Sequence, residues 1–207
     1  MKQPTLEAIK RDVLSPDPYT RGSAMQALSM RAREDASVHA MALPIFRAAI
    51  AEPKDAWSIG SALAGIRAIS GDGECRAAAV RLLELPDSSL VSRIVLWMSD
   101  PMFAGDLIAI MRRRLEAPIQ TAAMRVLGRM RAVEAFDLIF DNLSKRELRC
   151  DAIEALGELG DARAIALLEP LVADDTPGRD DDRGYPLRIG DLAAQSIRQI
   201  QQKLKSP

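Results

Sequence analysis

LRCDAIEALGELGDARAIALLEPLV, residues 148–172, is built almost wholly from alanine, leucine and small charged residues. Its two glycines, Gly157 and Gly160, stand where a helix should break. The stretch before it, IQTAAMRVLGRMRAVEAFDLIFDNL, residues 119–143, aligns with it when Leu148 is laid on Ile119, a shift of 29 residues. Ala152 then falls on Ala123, Ile153 on Met124, Leu156 on Leu127, Gly157 on Gly128 and Leu167 on Leu138. Self-similarity at such a period is weighed before any other motif, because each unit is one supersecondary element stacked on its neighbours.

The same core recurs as AMQALSM at 24–30, ALAGIRAI at 62–69, more loosely IVLWMSD at 94–100, and AAQSIRQI at 193–200. Apolar residues return at i, i+3/i+4 and i+7, with alanine where a neighbouring helix must come close. Second apolar-periodic segments lie between these cores: Leu6 to Leu14, Val38 to Ile50, Ala77 to Leu85, Leu107 to Leu115, Ala135 to Leu143 and Ala164 to Val172. The joints carry helix stops and starts, among them SPDP at 15–18, EPKD at 52–55 and GDGE at 71–74. No segment shows sustained strand alternation, so the class is all-α. The pattern predicts a right-handed α-α superhelix, a solenoid of about six antiparallel helix pairs, stabilised mainly by nearest-neighbour contacts.

Leu148, Arg149, Ala152, Ile153, Ala155, Leu156, Gly157, Leu159, Gly160, Asp161, Ala164 and Ile165 together resemble a HEAT-like repeat of the type found in phycobilisome-lyase-related proteins. The resemblance covers nearly all of residues 1–207, which are expected to form a single HEAT-like repeat domain. It is strongest from about residue 118 onward and at PDPYTRGSAMQAL, residues 16–28, and weak around residues 87–115. RGYPLRIGDLAAQSI resembles the last helix of many bacterial HEAT-like proteins, and laying Ile189 on Leu148 exposes an irregular inserted loop at about 174–186. Such a fold fixes an architecture and leaves the activity open.

Composition excludes more than it assigns. Lys+Arg number 28 against 29 Asp+Glu, so no global attraction to phosphate backbones or anionic membranes is expected. No run approaches a membrane span and MKQPTLEAIKRDVLSPD offers no signal-peptide apolar region, which points to the cytoplasm. Cys75 and Cys150, far apart and without CxxC spacing, read as reduced thiols. His39 is the single histidine, which rules out a Ser-His-Asp or histidine-cluster site, and with it the His-Glu iron centre of the HEAT-built deoxyhypusine hydroxylases. His39 itself reads as a core-edge residue. Five aspartates in DDTPGRDDDRGYP could hold a hard cation, but the spacing is not that of an EF-hand and Arg179 and Arg183 stand among them, so a solvated loop is expected. Arg112, Arg113 and Arg114 read as favourable charge at a helix C-terminus. Pro44 and Pro170 are expected to bend their helices. No catalytic residue, metal ligand or cofactor is assigned.

In HEAT-like folds the signature helix lines the concave side, and the resemblance places positions equivalent to Asp151, Glu154 and Glu158 on that face. Carried along the register, these give Arg93 and Leu96, then Arg125 and Arg129, then Glu154 and Glu158, and last Gln195 and Gln199, with Trp97 beside Leu96. A strip that is cationic, then anionic, then amide-rich suits a protein partner of mixed charge better than a nucleic acid. The bland alternative is that Arg125 and Arg129 pair with Glu154 and Glu158 across neighbouring helices. The expected function is a non-enzymatic interaction module or scaffold with a protein partner on its concave face. A phycobilin-lyase-like enzyme or subunit stands second, and a HEAT-like DNA-binding protein third.

Overall fold

The computed structural model describes residues 4–180 and 186–205. The chain divides into two compact units, Met1–Trp97 and Met98–Pro207. The first holds α1 (Leu6–Asp12), α2 (Pro18–Glu34), α3 (His39–Ala51), α4 (Ala56–Ser70), α5 (Asp72–Leu82) and α6 (Ser88–Val95). The second holds α7 (Ala104–Arg113), α8 (Ala117–Met130), α9 (Phe136–Asp141), α10 (Arg149–Leu159), α11 (Arg163–Leu168), the strands β1 (Pro177–Asp180) and β2 (Pro186–Arg188), and α12 (Ile189–Lys205).

In each unit the signature helices stack on one another in one layer, termed inner. α4 packs on α2 and α6, and α10 packs on α8 and α12, while α3 and α5 back α4, α7 backs α8, and α9 backs α10. The alanines of the repeat are what let the second layer close: Ala123, Ala152 and Ala193 are all fully buried, beside Leu127, Ile153, Leu156 and Ile200. The inner helices of the first unit start on aspartate caps, Asp17, Asp55 and Asp87, whose carboxylates accept the amides of Thr20, Ser58 and Leu90.

One device repeats in register. Three residues before the buried alanine of the repeat stand Arg21, Gln120 and Arg149. Each donates to the carbonyl six residues earlier: Arg21 to Ser15 at 2.7 Å, Gln120 to Arg114 at 2.5 Å and Arg149 to Leu143 at 2.9 Å. Those carbonyls lie at or just beyond the end of the preceding outer helix, where the last turn has no intrahelical donors. The side chain thereby closes the turn between the two helices of a pair.

Inner helices approach closely through glycine. A Cβ on Gly22 would lie 2.6 Å from the Trp57 ring, and one on Gly60 would lie 2.4 Å from the Trp97 ring. In the second unit the contact is backbone instead of indole: a Cβ on Gly128 would lie 2.8 Å from the carbonyl oxygen of Ala155.

Three details depart from the sequence expectations. α11 ends at Leu168 and residues Glu169–Ala173 tighten into a 3-10 turn, so Pro170 closes its helix instead of bending it, as its missing amide and its steric demand on Glu169 dictate. Pro44 does lie inside α3, which continues past it. α6 stops at Val95, so IVLWMSD is not one helix: Met98 turns into the core and Pro101 opens the next turn. Finally, the segment expected to be an irregular loop carries a two-stranded antiparallel hairpin pairing Pro177 with Arg188, Arg179 with Leu187 and Asp180 with Pro186. Its residues are mostly exposed, so there is no apolar alternation to read, and its two prolines sit on strands without a second neighbour. Residues 181–185, Arg183 among them, lie outside the described residues.

Candidate interaction face

The inner helices of the second unit bring most of the expected residues together. Arg125 and Arg129 project from α8, and Asp151, Glu154 and Glu158 from the facing side of α10, one helical turn apart. Together with Arg179 of β1 they line a depression of about 280 Å³. On the other flank of α10, Glu154 and Glu158 join Gln195, Gln199 and Gln202 of α12 around a second depression of about 440 Å³, with Arg198 also on its wall.

The charges are partly satisfied within the chain. Asp151 is the hub: the Thr121 hydroxyl donates to it at 3.0 Å, Arg125 lies 3.5 Å away and Arg179 lies 3.4 Å away. Arg179 also donates to Glu154. Arg129 faces Glu158 at 3.7 Å, too long for a hydrogen bond, and one carboxylate oxygen of Glu158 is buried without a hydrogen-bond partner. The expected cross-helix pairing is therefore real for Arg129 with Glu158, while Arg125 goes to Asp151. Arg179, which the register did not supply, takes Glu154. Its signal in the sequence was an arginine among the aspartates of the insertion.

Below the face, Lys203 of α12 donates to the carbonyls of Gly157 at 3.1 Å and of Glu158, capping the end of α10. Burial, reinforced by nearby Arg131, pulls its ammonium below the usual lysine range, with Glu158 opposing. Cys150 sits beside β1, and burial pushes its thiol up, away from the thiolate a nucleophile needs.

Arg93, Leu96 and Trp97 belong to the first unit, at the end of α6. Arg93 donates to the carbonyl of Ser89 at 3.3 Å. Leu96 is 41% and Trp97 50% exposed, although one face of the Trp97 ring covers Gly60. His39 has its Nε2 2.8 Å from the carbonyl of Ala32, which can only accept, so that nitrogen carries the proton. No group of three or more His, Cys, Asp or Glu placed to hold a metal occurs among the described residues.

Residues 105–182 match the family model of HEAT repeats. The matched stretch runs from α7 into the insertion and contains α8 and α10, the two helices that carry the charged strip. Among solved structures the chain is similar to a designed armadillo repeat protein, YIII(Dq)4CqI, at 14% identity over 95% of this chain and 100% of that one, with a TM-score of 0.47. Among curated proteins none matches.

Proposed function

We propose that the chain is a non-enzymatic protein-interaction module whose inner α8–α10–α12 face contacts a protein partner. The observation that carries this reading is the charge order on that face: Arg125 and Arg129, then Asp151, Glu154 and Glu158, then Gln195 and Gln199, around two open depressions. Alternating charge selects the register of a protein chain laid across it, and a uniform phosphate backbone would meet three carboxylates. In the first unit, exposed Leu96 and Trp97 beside Arg93 offer an apolar anchor of the kind that supplies affinity. Among the described residues no helix is long and apolar enough to cross a membrane.

Affinity capture of the tagged chain from its native lysate tests the reading, run beside an Arg125→Ala, Arg129→Ala double variant. A protein retained by the wild type and lost by the variant, with the variant's helical circular dichroism unchanged, is the expected result. Retention of nucleic acid in place of protein, or equal capture by both chains, contradicts it.

A further inference from the structure

The face contains its own ligand-like group. Without Arg179, the depression between α8 and α10 is lined by three carboxylates, Asp151, Glu154 and Glu158, against two guanidiniums, Arg125 and Arg129. It is one positive charge short. Arg179 supplies that charge from outside the repeat, at the tip of a strand that belongs to the insertion, with its guanidinium shared between Asp151 and Glu154. The hold is uneven and open to solvent: the Glu154 contact is close, the Asp151 contact is long at 3.4 Å, and the side chain is 40% exposed. Among the described residues Arg179 is the hydrogen-bond and ionic partner that Glu154 has. The preceding repeat has Ala122 and Arg125 where this one has Asp151 and Glu154, so the acidic pair is particular to α10.

We propose that Arg179 is an internal occupant of a guanidinium site, and that the partner carries an arginine that displaces it from Asp151 and Glu154. This rests on the interaction-module reading and names the chemistry of the partner segment. Two carboxylates one turn apart match the planar fork of a guanidinium better than the point charge of an ammonium. The exchange costs little, because an exposed ion pair contributes little and the incoming arginine restores the same charge balance. Arg179 then acts as a competitor that lowers the apparent affinity of the site by the fraction of time it is seated.

The test uses the full chain and a fluorescent, end-blocked glycine–arginine repeat pentapeptide, with the citrulline and lysine counterparts as controls, by fluorescence anisotropy at low and physiological salt. Arg179→Ala is expected to bind the arginine peptide about five-fold more tightly than the wild type, the size of one exposed ion pair removed from competition. Glu154→Gln in the Arg179→Ala background is expected to abolish the gain, and Glu134→Gln, an acid outside this face, to leave it. The citrulline peptide is expected not to bind and the lysine peptide to bind more weakly. Equal affinities for wild type and Arg179→Ala, no binding to Arg179→Ala, or a gain that survives Glu154→Gln each overturns the proposal. Because the peptide assay needs no cellular partner, its failure beside a successful capture overturns this inference alone. Peptide binding with the stated variant pattern and no captured protein overturns the module reading, and with it the partner's arginine, while the guanidinium site itself stands.

Discussion

Arg21 of α2 reaches across to Asp55, the residue that caps α4, and its Nε donates to the carboxylate at 2.8 Å. The same guanidinium holds the carbonyls of Ser15 at 2.7 Å and Pro16 at 3.2 Å. One nearly buried side chain thus closes its own helix pair and pins the start of the next inner helix.

Removing Arg21 leaves Asp55 charged and half-buried with only its Ser58 bonds, and takes the donor from the Ser15 and Pro16 carbonyls. Arg21→Met is expected to lower unfolding stability by about 2 kcal/mol. The double variant Arg21→Met, Asp55→Ser keeps a capping oxygen for Ser58 and leaves no stranded carboxylate, so it should be more stable than Arg21→Met alone. Urea midpoints of the two variants check this, and an additive double variant would show that the pair is not coupled.

Acid should reach the first unit through the same residue. Burial pushes the Asp55 carboxyl up, but the Ser58 amide and hydroxyl and the Arg21 guanidinium more than offset it and leave it below the ordinary range. A depressed carboxylate contributes stability that is present above its unfolded value, about 3.9, and is lost as pH falls through the folded one. Wild type is therefore expected to lose more stability than Asp55→Ser as the pH drops below about 4. Parallel pH profiles of the two chains would contradict the assignment.

Glycine substitutions should change sign with position. A Cβ on Gly128 meets the Ala155 carbonyl oxygen at 2.8 Å and the Ala155 Cα at 3.2 Å, backbone atoms that move only if α8 and α10 separate. Gly128→Ala is expected to destabilise by about 2 kcal/mol. Gly73 lies in the first turn of α5 with nothing within 4 Å of its added Cβ, so Gly73→Ala should stabilise by about 0.5 kcal/mol. Thermal midpoints moving the same way for both would refute the distinction.

Trp97 serves its own unit before it serves any partner. Trp97→Ala uncovers the backbone at Gly60, and a loss of about 1–2 kcal/mol is expected even with half the indole already in water. Chemical denaturation of the variant without any partner present checks this, and an unchanged midpoint would make Trp97 a surface residue only.

The repeat was legible because its marks are compositional. The buried alanines at 123, 152 and 193 and the glycines at 128 and 157 return at fixed offsets, and the helices fall where those offsets place them. The strip of Arg125, Arg129, Glu154 and Glu158 was legible for the same reason, since the residues follow helical spacing. Arg179 was not, because its position depends on a hairpin whose exposed strands leave no periodic trace. The exchange of partners that sends Arg125 to Asp151 was hidden too, because a register names neighbours on a face without fixing which carboxylate a long side chain selects. The capping role shared by Arg21, Gln120 and Arg149 escaped because the three differ in chemistry and agree only in the hydrogen bond they donate.

Site-specific photo-crosslinking in the native lysate tests the central claim most directly, with a photoreactive residue placed at Gln199 on the inner face or at Asp137 on α9, which backs it. A discrete covalent adduct to one protein from position 199 and none from 137 is the predicted result. Adducts from position 137 alone, or from neither, would contradict an interaction module that works through its inner helices.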